Sequence, residues 1–364
     1  MLIDISTASP PYKVTQEKAS AELKKRMGVR PAIGRLIEAA SVHSGIDSRY
    51  FIIPDAEENV EKKFYSNNGS YIKPDTQVRM NEYEKWVKLL SKEAVGKLIE
   101  ENNFNPAKIE RLITISCTGF FAPGLDYYLI NEFKIPQNVK RTNIGFMGCA
   151  ASITGFNSVF EALTSAKEKE LNTLLVSVEL CSLHLQTEPT RDNILANMIF
   201  ADGCAAALFS NSTNFSAVNK FKIVDIETFL FNNSAEYMGW KIGNFGFEMI
   251  LSPELPKIIL ESACPELLKI ISSRNINKDD IKYWALHPGG RAILDSLQNG
   301  LVLTNEQMIP SRNVLRNFGN MSSASILFVL KEILKTSDLK KDEYCCAVAF
   351  GPGLTMETAL LQVV

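Results

Sequence analysis

The 364-residue chain carries 39 basic and 41 acidic side chains, a formal charge of −2, and 46% of its residues are hydrophobic. That balance excludes a nucleic-acid partner met through a basic face, and no apolar run reaches the length of a membrane span, so no membrane insertion is expected. The length points to two domains or one large duplicated one. The seven cysteines are odd in number and none forms a CxxC pair, which argues against a disulfide framework or a structural zinc. The opening MLIDISTASPPYKVTQ lacks a basic-then-apolar signal pattern, so a cytoplasmic location is expected.

In chain order, residues 15–44 have amphipathic helical spacing and end in an irregular stretch after Arg49-Tyr50. Residues 57–74 are polar, with a loop expected at Asn67-Asn68-Gly69-Ser70. A long helix follows over 81–101. From there strands and helices alternate: a strand at 112–117, a helix at 123–133, a strand ending at Ile144, a helix over 150–167, and strands at 173–180 and 204–209. The second half repeats the order, with a strand at 221–230, a helix at 253–272, a short strand at 283–286 and a helix at 291–297. A helix at 322–334 and strands at 345–350 and 358–363 close it. This alternation predicts an α/β fold with a mixed sheet in each half, residues 1–215 and 216–364.

The stretch IGFMGCAASITGFNSV places Cys149 among small residues where a buried strand becomes a buried helix. Unpaired N–H groups at a helix start favour a thiolate and can donate to an oxyanion beside it. Taken alone, the plainer reading is a small apolar residue filling a tight joint. At the matching place in the second half stands GNMSSAS, where Asn320 precedes a helix and suits an N-cap. His287 opens HPGG, a rigid turn followed by open backbone; taken alone, a hydrogen-bonded core histidine is the first reading. Duplication would bring the two pivots face to face.

IGFMGCAAS, WALHPGGRAIL, NFGNMSSASILF and AFGPGLTMETALL, in this order and spacing, resemble the chalcone synthase-like family, the type III polyketide synthases. Weaker agreement runs through nearly the whole chain, and MGWKIGNFGFEMILSPELP is more like the bacterial branch. The resemblance implies the thiolase fold, duplicated α/β halves in a layered αβαβα core, and a homodimer. It implies a Cys149–His287–Asn320 triad, with coenzyme A thioesters as substrates and no resident cofactor or metal. Cys149 would hold the growing chain as a thioester, His287 would activate the thiol, and His287 with Asn320 would stabilise the enolate left when malonyl-CoA loses CO₂.

The cavity departs from the plant pattern. Phe200 matches the first gatekeeper aromatic, whereas the second gatekeeper position falls on Met249. Cys117, Cys181 and His184 stand where plant enzymes carry threonine, and Ala122 replaces a methionine that crosses to the partner subunit. Gly289, Ser322, Gly351, Pro352 and Gly353 complete the substrate-binding set. These changes fit an acyl starter, fatty ones included, better than a phenylpropanoyl one, with an alkylpyrone or alkylresorcinol as product. Basic positions that meet coenzyme A phosphates in plant enzymes fall on Leu36, Ala39 and His43, with Arg35 and Arg49 as nearby substitutes. The starter is expected from acyl-CoA or an acyl carrier protein. A ketoacyl synthase III-like enzyme making one condensation is the alternative, although that family typically shows Gln-Ala-Asn after the histidine. A silent thiolase-fold scaffold is the alternative of another class.

Overall fold

The computed structural model describes residues 1–27, 30–57, 63–67, 70–166, 169–212, 215 and 220–364. The chain opens with strand β1 (Leu2–Ala8), followed by β2 (Tyr12–Thr15), helices α1 (Gln16–Met27) and α2 (Pro31–Val42), and β3 (Ser48–Phe51), which pairs with β2. The expected helical segment is thus two helices, and the strand before them was hidden by Asp4, Ser6 and Thr7 interrupting its apolar run. A small pair, β4 (Ser66–Asn67) and β5 (Ser70–Tyr71), flanks the predicted loop, whose Asn68-Gly69 lies outside the described residues. Helix α3 (Thr76–Glu101) starts earlier than the spacing predicts, because Asp75 caps it by accepting from Val78 N.

The alternating part follows as β6 (Arg111–Ser116), α4 (Leu125–Glu132), β7 (Lys140–Gly145), α5 (Ala151–Ser165), β8 (Asn172–Leu180), α6 (Arg191–Ile199) and β9 (Asp202–Ser210). The last expected residue of the α5 segment, Lys167, lies outside the described residues. The second half runs β10 (Phe221–Leu230), the hairpin β11 (Met238–Gly243) and β12 (Gly246–Leu251), α7 (Leu255–Ile258), α8 (Cys264–Ser272), β13 (Ile281–Leu286), α9 (Arg291–Leu301), α10 (Asn305–Phe318), α11 (Ser325–Thr336), β14 (Tyr344–Gly351) and β15 (Thr355–Val363). The single helix expected over 253–272 is broken by a π turn at Ile259–Ala263. Pro265 has no N–H to offer the carbonyl four residues back, which favours the wider turn there.

Strand order is β7-β6-β8-β9-β1 in the first half and β13-β14-β15-β10 in the second. The directions correspond: β8 runs parallel to β6 and antiparallel to β9, as β14 runs parallel to β13 and antiparallel to β15. Instead of two separate sheets, the described residues form one of nine strands, because β1 and β10 meet antiparallel at Leu2 and Phe221. Helices α5 and α11 share one core with both half-sheets, including Ile153, Phe156, Ile326 and Leu330. Helix α3 covers the outer face of the first half through Val87, Leu90 and Val95. Leu267, Leu294 and Met308, from α8, α9 and α10, cover the outer face of the second. Each such buried side chain contributes about 1.5–3 kcal/mol. The result is the αβαβα layering of the thiolase fold, with the starts of α5 and α11 meeting at its centre.

Candidate active site

Cys149 sits in a 3₁₀ turn, Gly148–Ala150, between β7 and α5. The chain reverses sharply to enter it, with Phe146 at φ +58° and Gly148 at φ +61°. Glycine is required at 148, since a Cβ there would lie 2.5 Å from Pro352 Cδ. The other pivot is built alike: a 3₁₀ turn at Ser322–Ala324 leads into α11, and Ser322 itself holds φ +48°. That left-handed conformation, costly for a residue with a Cβ, sets Ser322 Oγ 3.6 Å from Cys149 Sγ, which donates to it and, at 4.0 Å, to Asn320 Oδ1.

Asn320 is fixed by backbone and side chain together. Its N–H donates to Ile199 O and its carbonyl accepts from Ala201 N, a bridge to the end of α6. Its Oδ1 accepts from Ser322 N at 2.8 Å, at the entrance to the 3₁₀ turn, although the N-cap position itself falls on Met321 and not on Asn320. Its Nδ2 donates to Gly289 O at 3.2 Å, leaving a second N–H for a ligand. His287 extends the β13–β14 ladder by donating its N–H to Val348 O at 2.9 Å. The ring is 2% exposed, and neither ring nitrogen has a partner among the described residues. A buried, unpartnered imidazole is costly unless a ligand or reacting proton completes it.

Cys149, His287 and Asn320 line one cavity of about 290 Å³, together with Gly289, Phe200 and Met249. Beyond Phe200 and Met249 lies a narrow space of about 30 Å³ bounded by Cys117, Cys149, Cys181, Ser322 and Pro352. A further chamber of about 90 Å³ is lined by Cys181 and His184 with Val14, Leu23, Phe51 and Ile53. Phe200 and Met249 line all three spaces, so they stand at the junction. Gly351 lies behind the pivot, where a Cβ would be 2.6 Å from Met147 O. Gly353 is not brought into any of these spaces; it packs on Leu230 and its carbonyl accepts from Ser234 Oγ.

Arg49 corrects the expected cavity mouth. It is 1% exposed, with Nη1 donating to Asn197 O and Phe200 O. Alternation along β3 turns Arg49 inward while Tyr50 stacks on Phe318. The hairpin β11–β12 was missed although Gly243-Asn244-Phe245-Gly246 between apolar runs signals a turn. It supplies Met238 and Trp240 to the narrow space and Phe247 to the further chamber, and Trp240 Nε1 donates to Cys117 O at 2.8 Å. Arg191 and Arg291 at the cavity were likewise not singled out.

Burial dominates the electrostatics. It pushes the Cys149 thiol up to about 12, opposed by the hydrogen bonds with Ser322 and Asn320, and it pushes the His287 imidazole down to about 3. The proton therefore rests on sulfur until a charged partner forms. Glu179, buried beneath the pivots, is also raised by burial; it accepts from Thr118 Oγ1 at 2.8 Å and from Cys117 N and Ser323 Oγ. His184 Nε2 donates to Thr118 O and Nδ1 accepts from Phe247 N, which requires the neutral ring, and burial lowers its pKa to about 3.

Both histidines thus bind a proton more readily when unfolded, near 6.5. Their contribution is complete above that pH and is lost as pH falls toward 3. Asp202, raised to about 6 by burial, works in the opposite direction at the acid end. Urea titrations from about pH 7 to about pH 4 should show His184→Gln reducing the acid-side loss by up to one proton's slope. An unchanged slope in that variant would refute the neutral assignment.

The duplicated layers and a thiol, an imidazole and a carboxamide converging on one cavity define a condensing enzyme of the thiolase fold. Residues 61–233 match the FAE1/type III polyketide synthase-like family and residues 223–364 the C-terminal domain of chalcone and stilbene synthases. The chain is 30% identical to a putative chalcone synthase of Bacillus subtilis, over 99% of this chain and 98% of that one. It is 29% identical to an alpha-pyrone synthesis polyketide synthase-like protein of Mycobacterium tuberculosis, over 72% of this chain and 67% of the relative. A 1,3,6,8-tetrahydroxynaphthalene synthase of Streptomyces peucetius is 26% identical over 98% of this chain and 92% of its own length. The crystal structure of PKS-I from the brown alga Ectocarpus siliculosus superposes with a TM-score of 0.93 at 31% identity, covering 100% of this chain and 98% of that one. The chain belongs to the type III polyketide synthases, acyltransferases of the chalcone synthase type.

Proposed function

We propose that this synthase loads an acyl starter on Cys149, extends it with malonyl-CoA by decarboxylative Claisen condensation, and cyclises the poly-β-keto chain in the same cavity. The observation that carries this reading is the convergence of Cys149, His287 and Asn320 on one space that continues past Phe200 and Met249. Cys149 attacks the starter thioester while His287 takes its proton and returns it to the departing thiol. Malonyl-CoA then places its thioester carbonyl against His287 and the free N–H of Asn320. These donors stabilise the enolate as CO₂ leaves, and its carbon attacks the Cys149 thioester. The two halves, 1–215 and 216–364, each contribute one pivot.

The inner spaces favour an aliphatic starter and an alkylpyrone or alkylresorcinol product. Their walls are largely apolar, and where they are tight the flexible side chains Met249, Met238 and Met198 can yield. A homodimer is supported by β7, a sheet edge with alternate residues exposed, beside exposed Phe120, Tyr127 and Phe146. A cytoplasmic location is supported by seven cysteines that are all unpaired.

Acyl-CoAs of graded length with malonyl-CoA, analysed by mass spectrometry, test the reading, with sedimentation checking for the dimer mass. Multiply extended, cyclised products from medium or long starters are expected. Met249→Phe should shift preference toward short starters by about tenfold or more, since the junction narrows. A product halted at one condensation would favour a ketoacyl synthase III-like enzyme instead. No product with any starter from folded protein would refute the reading.

A further inference from the structure

Helix α2 packs Ile37, with Ile33 and Ala40 beside it, inward and still turns apolar residues outward. Ile37 is its one buried residue, whereas Leu36 and Val42 are 55% and 70% exposed. Ala32 and Ala39 are exposed on the same side, with Arg35 between them; Glu38 at the flank pairs with Lys24 at 3.4 Å. A single exposed leucine is ordinary, but an apolar helix face left outward signals an interaction. Its place is informative. Ala40, at the end of the same helix, and His43 and Ser44 just beyond it line the catalytic cavity. The strip therefore begins at the lip that an incoming thioester must cross.

Arg191, the first residue of α6, and Arg291, the first of α9, line the same cavity. Among the described residues no aspartate or glutamate lines it, although the chain carries 41 acidic residues. No ion pair engages Arg191 among the described residues. Arg291 is held only by Asp295 at 3.5 Å, a half-exposed pair that solvent screens. The cavity thus offers two available cations and, outside it, an apolar strip with Arg35.

The geometry points to a docking surface for an acyl carrier protein, an acidic protein that bears its acyl group on a phosphopantetheine arm. This rests on reading the cavity as a thioester site, and it names the donor. Acidic side chains of the carrier meet Arg35, Arg191 and Arg291, while its apolar side chains cover Leu36 and Val42. The arm then enters between α2 and α9 and presents its thioester to Cys149. The acyl C–S bond to Cys149 forms as the bond to the carrier's sulfur breaks, and the Cys149 proton passes through His287 to the carrier thiolate. Free coenzyme A uses the arginines but little of the strip, which runs about 15 Å along the helix, more than one nucleoside covers.

One acyl group delivered in two ways tests this surface. Steady-state condensation with malonyl-CoA is measured for dodecanoyl-CoA and for a dodecanoyl acyl carrier protein of a dissociated fatty-acid synthase. The full chain is compared with Ala32→Glu/Val42→Ser, an exposed double substitution on the strip that leaves the expected coenzyme A positions untouched. Turnover of the carrier-bound donor is expected. The double variant should raise its KM about tenfold, equivalent to ~1.4 kcal/mol, and leave that for dodecanoyl-CoA within about twofold. Turnover of the CoA donor alone, or equal effects on both donors, overturns the docking surface and leaves the synthase reading intact. Binding to phosphatidylglycerol vesicles with no use of the carrier also overturns it, assigning the strip to a lipid surface. If neither the carrier-bound donor nor acyl-CoAs of any length are turned over, the synthase reading falls and the surface with it.

Discussion

Cys149→Ala should lower condensation product by roughly a thousandfold or more while malonyl-CoA decarboxylation persists. The thiol serves only the acyl-enzyme half of the cycle. His287 and the free Asn320 N–H, proposed to receive the enolate oxygen, are positioned by Val348, Gly289 and Ser322 and do not depend on the sulfur. Losing one buried sulfur beside Ser322 leaves a small cavity, costing on the order of 1 kcal/mol, so the variant should fold. The measurement pairs CO₂ release with product formation in one incubation. Parallel loss of both activities would show that Cys149 also takes part in enolate formation. Near-normal product formation would remove it as the nucleophile.

The pivots were legible because both combine small residues with an apolar helical run, a pattern that only close packing of α5 and α11 requires. The same is true of β8, whose nine residues are all buried and mostly apolar. Strand β1 was not legible, since its polar residues find partners far away in sequence: Ser6 Oγ donates to Glu101 and Asp4 accepts from Asn102. The roles proposed for His287 and Asn320 rest on the resemblance alone. On local sequence each suits a plain structural part, a cap or a core histidine, although the structure leaves the His287 ring unpartnered; their convergence with Cys149 is a product of duplication and layering. Arg49 shows the reverse error. Sequence distance placed it at the mouth, whereas strand alternation carries it into the interior.

His287→Ala should depress both partial reactions, decarboxylation by about a hundred- to a thousandfold, because the ring serves each in turn. This separates it from Cys149→Ala, in which decarboxylation survives. The chemistry of the pair explains a second signature. With burial holding the thiol near 12 and the imidazole near 3, neither group ionises alone at neutral pH. Moving the proton from Sγ to the ring creates both charges together. The attraction between the two opposite charges, strengthened in a buried site, offsets part of that gap. Once the proton has left, the Ser322 hydroxyl, 3.6 Å away, can turn to donate to the sulfur. Iodoacetamide labelling of Cys149 in the native enzyme should accordingly vary little with pH near neutrality, since proton transfer within the pair leaves the proton count unchanged. Without the imidazole, labelling should be slower at neutral pH and rise with each added pH unit as the isolated thiol ionises. Coincident labelling profiles for native enzyme and variant would show that His287 does not hold the Cys149 proton, and its role would then be confined to the enolate.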